Sequence, residues 1–371
     1  RSHVYFCSCA GHQQILEDFM KRRKCREVKL RQTVIGGSAP ISVQTMSTVN
    51  PADYVKGSAD ARRLAAYGAE IIRFAVPDMR AAKGLSHIVK DSPVPIVADI
   101  HFDYRLALES VSSGVDALRI NPGNIGSDDR VGAVVDAVKK RNIPIRIGIN
   151  AGSLPSDILA TYNGHPTAEG MVEGALRHIR ICEHLDYKNL VISLKASDVP
   201  LMIEAYSLLA EKVDYPFHLG VTEAGLLRDG TVKSAIGIGS LLYAGIGDTI
   251  RVSLTDDPAE EVKTGRSILS ALGLRDFGPT IISCPTCGRT QVELIHLAKE
   301  VETALADIDA PLKVAVMGCV VNGPGEAREA DFGIAGGAGS GIIFSHGEIL
   351  RTVSEKDLVT GLLEEINKSL T

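Results

Sequence analysis

The sequence predicts an α/β chain in two domains, an N-terminal (β/α)8 TIM-type barrel followed by a smaller C-terminal α+β domain. Three observations predict it. Eight short apolar runs, rich in β-branched residues, alternate with amphipathic stretches between Ile41 and about Gly273. Beyond Gly273 that period breaks into segments punctuated by Pro and Gly. The 371 residues also suit a barrel of roughly 250 residues joined to a second domain of about 90.

Residues 1–30 contain no sustained apolar run and no small-residue cleavage site, so they are expected to be a disordered N-terminal extension outside the fold rather than a signal peptide. Cys7 and Cys9 form a C-x-C there, with no His or Cys cluster beside it. The barrel is expected over residues 31–276. Its strands are ISVQTMS from Ile41, EIIRFAV from Glu70, PIVADIH from Pro95, ALRINPG from Ala117, PIRIGIN from Pro144, LVISLKAS from Leu190, FHLGVTEAG from Phe217 and DTIRVSLT from Asp248. Between them, segments such as SADARRLAAYGAE and VGAVVDAVKKRN carry apolar residues at helical spacing, with Gly or Asn near their ends. A doubly wound open sheet is the rival, but it usually has fewer parallel strands and a Gly-rich fingerprint after the first, absent here. Leu274–Pro279 is the expected linker and residues 280–371 the second domain, with a helix in VELIHLAKEVETALADI and strands in LKVAVMGCVV and SGIIFSH. The stretch GIAGGAGSG from Gly333 matches neither the dinucleotide fingerprint nor a P-loop with its Lys, and reads as a tight strand connection.

A net charge of -5 with interspersed signs provides no basic stripe for a nucleic-acid backbone, and no apolar run is long enough to span a bilayer. Seven scattered cysteines, an odd number, do not form a disulfide framework; a reducing, cytoplasmic setting is expected. The partner is then a small molecule.

Its chemistry is suggested by charges inside the strands. Arg73, Arg119, Arg146, Lys195 and Arg251 each interrupt an otherwise apolar run, and buried charge is costly unless paired. The carboxylates found in comparable strands are Asp99 and Glu223, which leaves a surplus of three positive charges for an anionic ligand. Barrel ligands bind at the C-terminal mouth, and Arg grips phosphate through a charge-assisted fork, so a phosphate or diphosphate ester is expected. Ser253 faces the same way as Arg251, while Asn121 and Asn150 offer amides at strand ends. Strand parity alone does not fix which face is inward, so cations pointing outward toward acidic helix residues are the alternative. Asp99 and His101 share one strand face and form a secondary candidate, a proton relay; Glu223 is the general acid or base, or else a structural partner for an Arg.

In the second domain Cys284 and Cys287 form the chelating turn C-P-T-C, and Cys319 follows an apolar strand. Three thiolates leave zinc, with His296 or His346 as fourth ligand, and an iron-sulfur cluster both open. Glu326, after Gly323, Pro324 and Gly325, favours the cluster by offering a labile fourth ligand. Cys182 reads as a buried helix residue and Cys25 as an exposed one in a basic segment.

From about Val34 onward the chain resembles the 4-hydroxy-3-methylbut-2-en-1-yl diphosphate synthase family. VADIHFDYR, LRINPGNIG, IPIRIGINAGSL, SLKASDV, GVTEAG, KSAIGIG, DTIRVSLT, CPTCGR and GCVVNGPGEA stand in the family's order. The resemblance implies reductive ring opening and dehydration of 2-C-methyl-D-erythritol 2,4-cyclodiphosphate in the non-mevalonate isoprenoid pathway. It implies a [4Fe-4S] cluster on Cys284, Cys287, Cys319 and Glu326, with Glu326 giving way to substrate. It also implies diphosphate contacts from Arg73, Arg119, Arg146, Lys195, Arg251 and Ser253, orientation by Asn150 and Asn322, and proton handling by Glu223. Flavodoxin or ferredoxin is the implied electron donor, and a head-to-tail homodimer the implied assembly. The chain resembles the compact bacterial form, with no long insertion between the domains. It departs from the family pattern in QTMSTVNPAD and in the residues before Lys29. Two rival functions differ in what they predict: a barrel transferase for a pterin or phosphate ester with a structural zinc would be colourless and active without an electron donor, and a zinc-ribbon-like binding module on a barrel scaffold would carry a basic surface near Cys284, where the sequence shows only Arg289.

Overall fold

Helices cover the outer face of the first unit's strands, and that face takes the apolar half of each run. Ile72 and Phe74, Ile96 and Ala98, Leu118, Ile145 and Ile147, and Leu190, Ile192 and Leu194 are all fully buried there. Alternation then turns the other half inward. The strands are β3 (Ser42–Met46), β4 (Ile71–Ala75), β5 (Ile96–Asp99), β6 (Ala117–Arg119), β7 (Ile145–Asn150), β8 (Leu190–Lys195), β9 (His218–Leu219) and β10 (Thr249–Ile250). Each pairs in parallel with its sequence neighbour, β10 pairs with β3, and a bridge between Ile192 and Phe217 joins β8 to the entry of β9, closing an eight-stranded barrel. This is a computed structural model; it describes residues 21–319 and 327–370, and the chain divides into two units between Arg275 and Asp276.

Local chemistry starts the helices where the strands leave off. Asp53, Asp78, Asp103, Asp198 and Asp257 each accept a backbone N–H at the first turn of the following helix. At the other end, Asn142 closes the helix Asp128–Arg141 in the left-handed conformation, a geometry Asn tolerates well.

The barrel floor corrects one expectation. Residues 21–30 belong to the fold. An antiparallel hairpin of β1 (Val28–Leu30) and β2 (Thr33–Ile35) presents Val28, Leu30 and Ile35 to Ile71, Val97, Ala117 and Val191, plugging the barrel with apolar surface. Ahead of it, Arg22 pairs with Asp248 at 2.8 Å, Arg26 with Asp214 at 2.8 Å, and Arg23 lies over the Phe217 ring. Cys25, expected in the open, sits 3.2 Å from Asp248, and burial followed by that carboxylate pushes its thiol up to about 11. These positions looked like a tail because their cations find their partners far away in sequence. Cys7 and Cys9 lie outside the described residues. Cys182 is fully buried on the helix Ala168–His184.

The second unit is a five-stranded mixed sheet, in the order β11 (Thr280–Ser283), β12 (Lys313–Met317), β13 (Phe332–Gly336), β14 (Ser340–Ser345) and β15 (Glu348–Ser354). The first three are parallel and the last two antiparallel. Helices Leu294–Ala304 and Leu358–Leu370 cover the sheet, and Val301, Val314, Val316, Ile334, Ile343, Leu362 and Ile366 form its core. The Gly-rich run from Gly333 supplies β13 and the turn into β14, with Gly339 at φ +74°. β11, β13, β15 and the last helix were not anticipated. Among the described residues no helix is long and apolar enough to cross a membrane.

Candidate active site

Inward side chains near the C-terminal ends of the strands enclose a cavity of about 190 Å³. All five strand cations line it, together with Asp99, His101, Asn150 and Ser253. Parity explains this convergence: an apolar residue facing the helices forces its neighbours in the strand to face the axis.

The cations differ in how they are held. Asp99 of β5 sits between two of them, with its Oδ2 3.6 Å from Arg73 Nε and its Oδ1 3.4 Å from Arg119 Nη1. Burial alone would raise this carboxyl, but Arg73, His101 and Arg119 together hold it well below the usual carboxylate range. His101, largely exposed just beyond β5, places Nε2 3.6 Å from Asp99 and Nδ1 3.4 Å from Arg119. A guanidinium donating to Nδ1 leaves the proton on Nε2, facing Asp99. Arg119 also donates to the Gly148 carbonyl at 3.2 Å. A Cβ at Gly148 would stand 2.8 Å from Arg119 Nε, so this glycine makes room for the guanidinium.

Arg251 is clamped by a carboxylate that sequence reasoning missed. Glu261, buried on the helix Pro258–Ala271, accepts from Arg251 Nε at 3.1 Å and Nη2 at 2.7 Å. Among the described residues the two anions paired with the five cations are therefore Asp99 and Glu261, and the surplus is still three. Glu223 lies exposed in the loop one residue past the cavity-lining Thr222, outside any strand, with a left-handed backbone at φ +52°. Nothing in D-D-P-A-E-E-V marks Glu261 as inward, because its reach to Arg251 depends on where the helix packs.

The remaining two cations lack anionic partners among the described residues. Arg146, 5% exposed, donates to Gln44 Oε1 at 2.6 Å, while its Nη2 has no partner. Lys195, 8% exposed, has neither an ion pair nor a hydrogen bond among the described residues. Burial, and then the neighbouring cations, push both well below their ordinary values; Arg73, for the same first reason, comes down to about 10. Ser193 Oγ, Gln44 Nε2 and both nitrogens of His218 on the inner wall are likewise buried without partners. Gln44, Ser193 and His218 interrupt apolar strands as the cations do, so the same reading could have found them. Asn121 does not line the cavity; its Oδ1 accepts from Gly148 N–H at 2.9 Å and braces β7.

In the second unit, Cys284 directly follows β11 and Cys319 lies two residues past the end of β12, so adjacent parallel strands bring both to one end of the sheet. Gly318 N–H points at Cys284 Sγ at 3.2 Å, and the Arg289 N–H, foremost, lowers the Cys287 thiol. Backbone N–H groups aimed at sulfur suit thiolate ligands of an iron-sulfur cluster. Among the described residues no three His, Cys, Asp or Glu side chains converge as a metal site, and His296 and His346 join none. Asn322 and Glu326 lie outside the described residues.

A family model of the GcpE TIM-barrel domain matches residues 25–266, and one of the GcpE protein C-terminal domain matches residues 280–368. A 4-hydroxy-3-methylbut-2-en-1-yl diphosphate synthase (flavodoxin) of Geobacter sulfurreducens is 56% identical, over 94% of this chain and 99% of that relative. One of the same name from Caldanaerobacter subterraneus subsp. tengcongensis is 57% identical, over 94% and 98%. Among solved structures, 3-dehydroquinate dehydratase from Geobacillus kaustophilus HTA426 aligns with a TM-score of 0.49 at 13% identity, over 67% of this chain and 98% of that one.

Proposed function

The chain belongs to the GcpE family, and from that premise we propose that it converts 2-C-methyl-D-erythritol 2,4-cyclodiphosphate to 4-hydroxy-3-methylbut-2-en-1-yl diphosphate, the product in its relatives' name, with the flavodoxin of that name as electron donor. The overall change breaks a C–O bond to the diphosphate, loses a hydroxyl as water and takes up two electrons and two protons. The observation that carries the reading is the buried surplus of three positive charges in a cavity at the barrel mouth.

Each residue's part follows from its surroundings. Lys195 and Arg146, which have no anion of their own among the described residues, meet the diphosphate charge most directly, and filling the cavity would relieve their mutual repulsion. Arg73, Arg119 and Arg251 have their orientation fixed by Asp99 and Glu261 and offer the N–H groups that these contacts leave over. Ser253 donates to a phosphate oxygen, and Asn150 and Asn322 orient the carbon skeleton. Glu223 carries protons, with Asp99 and His101 as a secondary relay beside Arg119.

Cys284, Cys287, Cys319 and Glu326 would hold a [4Fe-4S] cluster, which when bound supplies single electrons to the reacting carbon. This part of the reading rests on the donor chemistry: three reduced cysteines, two with N–H groups aimed at sulfur. We place the protein in the cytoplasm as a head-to-tail homodimer carrying two composite sites.

The test is anaerobic turnover of the cyclic diphosphate with reduced flavodoxin, following the linear product. Protein carrying about four irons per chain should be brown and active. A colourless protein holding one zinc and inactive under these conditions would overturn the proposal.

A further inference from the structure

Glu261 gathers four donors on one carboxylate. Oε1 accepts from Arg251 Nη2 at 2.7 Å and from Leu254 N–H at 3.1 Å; Oε2 accepts from Arg251 Nε at 3.1 Å and from Thr45 Oγ1 at 2.8 Å. At 2% exposure the group has no water to help it, and a carboxylate has about four acceptor positions, so it is saturated. The donors come from three places: Thr45 on the helix-facing side of β3, Leu254 in the exit from β10, and the Arg251 head group. One side of the Arg251 fork is fixed in this way, while Nη1 has no partner among the described residues and Arg251 lines the cavity.

From this geometry we infer that Glu261 is the positioning residue of the anion site, aiming the free edge of Arg251 at the ligand. The inference rests on the diphosphate reading above and deepens it. A neutral amide cannot replace Glu261, because its NH2 would face guanidinium donors and only one oxygen would be left to accept. An aspartate is one methylene shorter and cannot span both nitrogens from the same backbone. The effect should fall on binding, since a contact to phosphate present before and during the reaction is uniform in both states.

The experiment compares cluster-loaded wild type, Glu261→Gln, Arg251→Gln, the double variant and Thr45→Val, with the cyclic diphosphate as substrate. Glu261→Gln should raise KM about tenfold or more with kcat within about threefold, and should add less than about twofold in the Arg251→Gln background. Thr45→Val removes one of the four donors to the same carboxylate but leaves both guanidinium contacts in place, and should lower Tm while raising KM by less than about threefold. Folding is checked by near-UV circular dichroism; if Glu261→Gln does not fold, Glu261→Asp carries the same cycle with the same expectations. An unchanged KM in a folded Glu261 variant, additivity with Arg251→Gln, or an equal rise in KM for Thr45→Val would each overturn the inference. Wild type that neither binds nor turns over the substrate would instead sink the diphosphate reading itself.

Discussion

Lys195 is the inward cation with neither an ion pair nor a hydrogen bond among the described residues, and a buried ammonium without an anion destabilises the empty barrel. Replacing it with Met, of similar length, should therefore separate stability from binding. Lys195→Met is expected to raise KM for the cyclic diphosphate by about one to two orders of magnitude. It should also make the substrate-free protein more stable, by about 1 to 3 kcal/mol at pH 7 in urea denaturation. The sign with pH follows from the lowered ammonium. Between its folded-state value and the ordinary value of 10.5, the unfolded chain holds a proton that the folded chain has released, so wild type gains stability as pH rises through that window. The advantage of Lys195→Met should shrink accordingly from pH 7 to pH 10; an advantage that grows would contradict the assignment. All five cations were legible in the sequence because charge in a β-branched run is conspicuous. Of their partners, Asp99 was legible as a carboxylate in a neighbouring strand, but Glu261 comes from a helix whose packing no local pattern encodes.

Inward glycines in β7 and directly after β9 decide how closely the backbone can pass the charged groups. At Gly148 a Cβ would meet the end of the Arg119 side chain at 2.8 Å, and a side-chain end can shift. Gly148→Ala should consequently leave Tm nearly unchanged while raising KM several-fold, about three- to tenfold by the loss of one aligned guanidinium contact. At Gly220 the obstacle is the Arg251 backbone carbonyl at 2.5 Å, which cannot move without the strand. Gly220→Ala should lower stability by about 1 to 3 kcal/mol in the same denaturation assay. The β6 exit loop is pinned similarly by an element remote in sequence. His178, buried on the helix Ala168–His184, accepts from Gly123 N–H at 3.0 Å, and burial, helped by Arg177, lowers its imidazole to about 4. Because the unfolded chain takes up this proton near 6.5 and the folded chain does not, stability should fall as pH drops from 6.5 toward 4. Urea midpoints at pH 7 and pH 5 should show that loss in wild type and less of it in His178→Gln. The strand runs themselves announced the eight barrel elements, whereas a histidine at helical spacing gave no hint of the loop it secures.

The two units hold separate cores, one around Val301, Val316 and Ile366, the other in the barrel with its hairpin plug. Anion binding and electron delivery should therefore be separable. Cys319→Ala is expected to lose iron and turnover together, while inorganic pyrophosphate still raises the Tm of the barrel by the same amount as in wild type. Glu326→Ala should keep about four irons per chain but turn over poorly. Normal turnover by both variants, measured anaerobically with reduced flavodoxin, would refute the cluster assignment. By itself the sequence determined the barrel, the second domain, the excess of cations in the strands and the cysteine spacing, because period, composition and charge are local properties of a chain. Only the tertiary structure decided that residues 21–30 close the barrel floor, that Glu261 rather than Glu223 is the second anion, and that Lys195 and Arg146 find none among the described residues. Those outcomes are sums of distances between groups far apart in sequence, set by helix packing and ring closure.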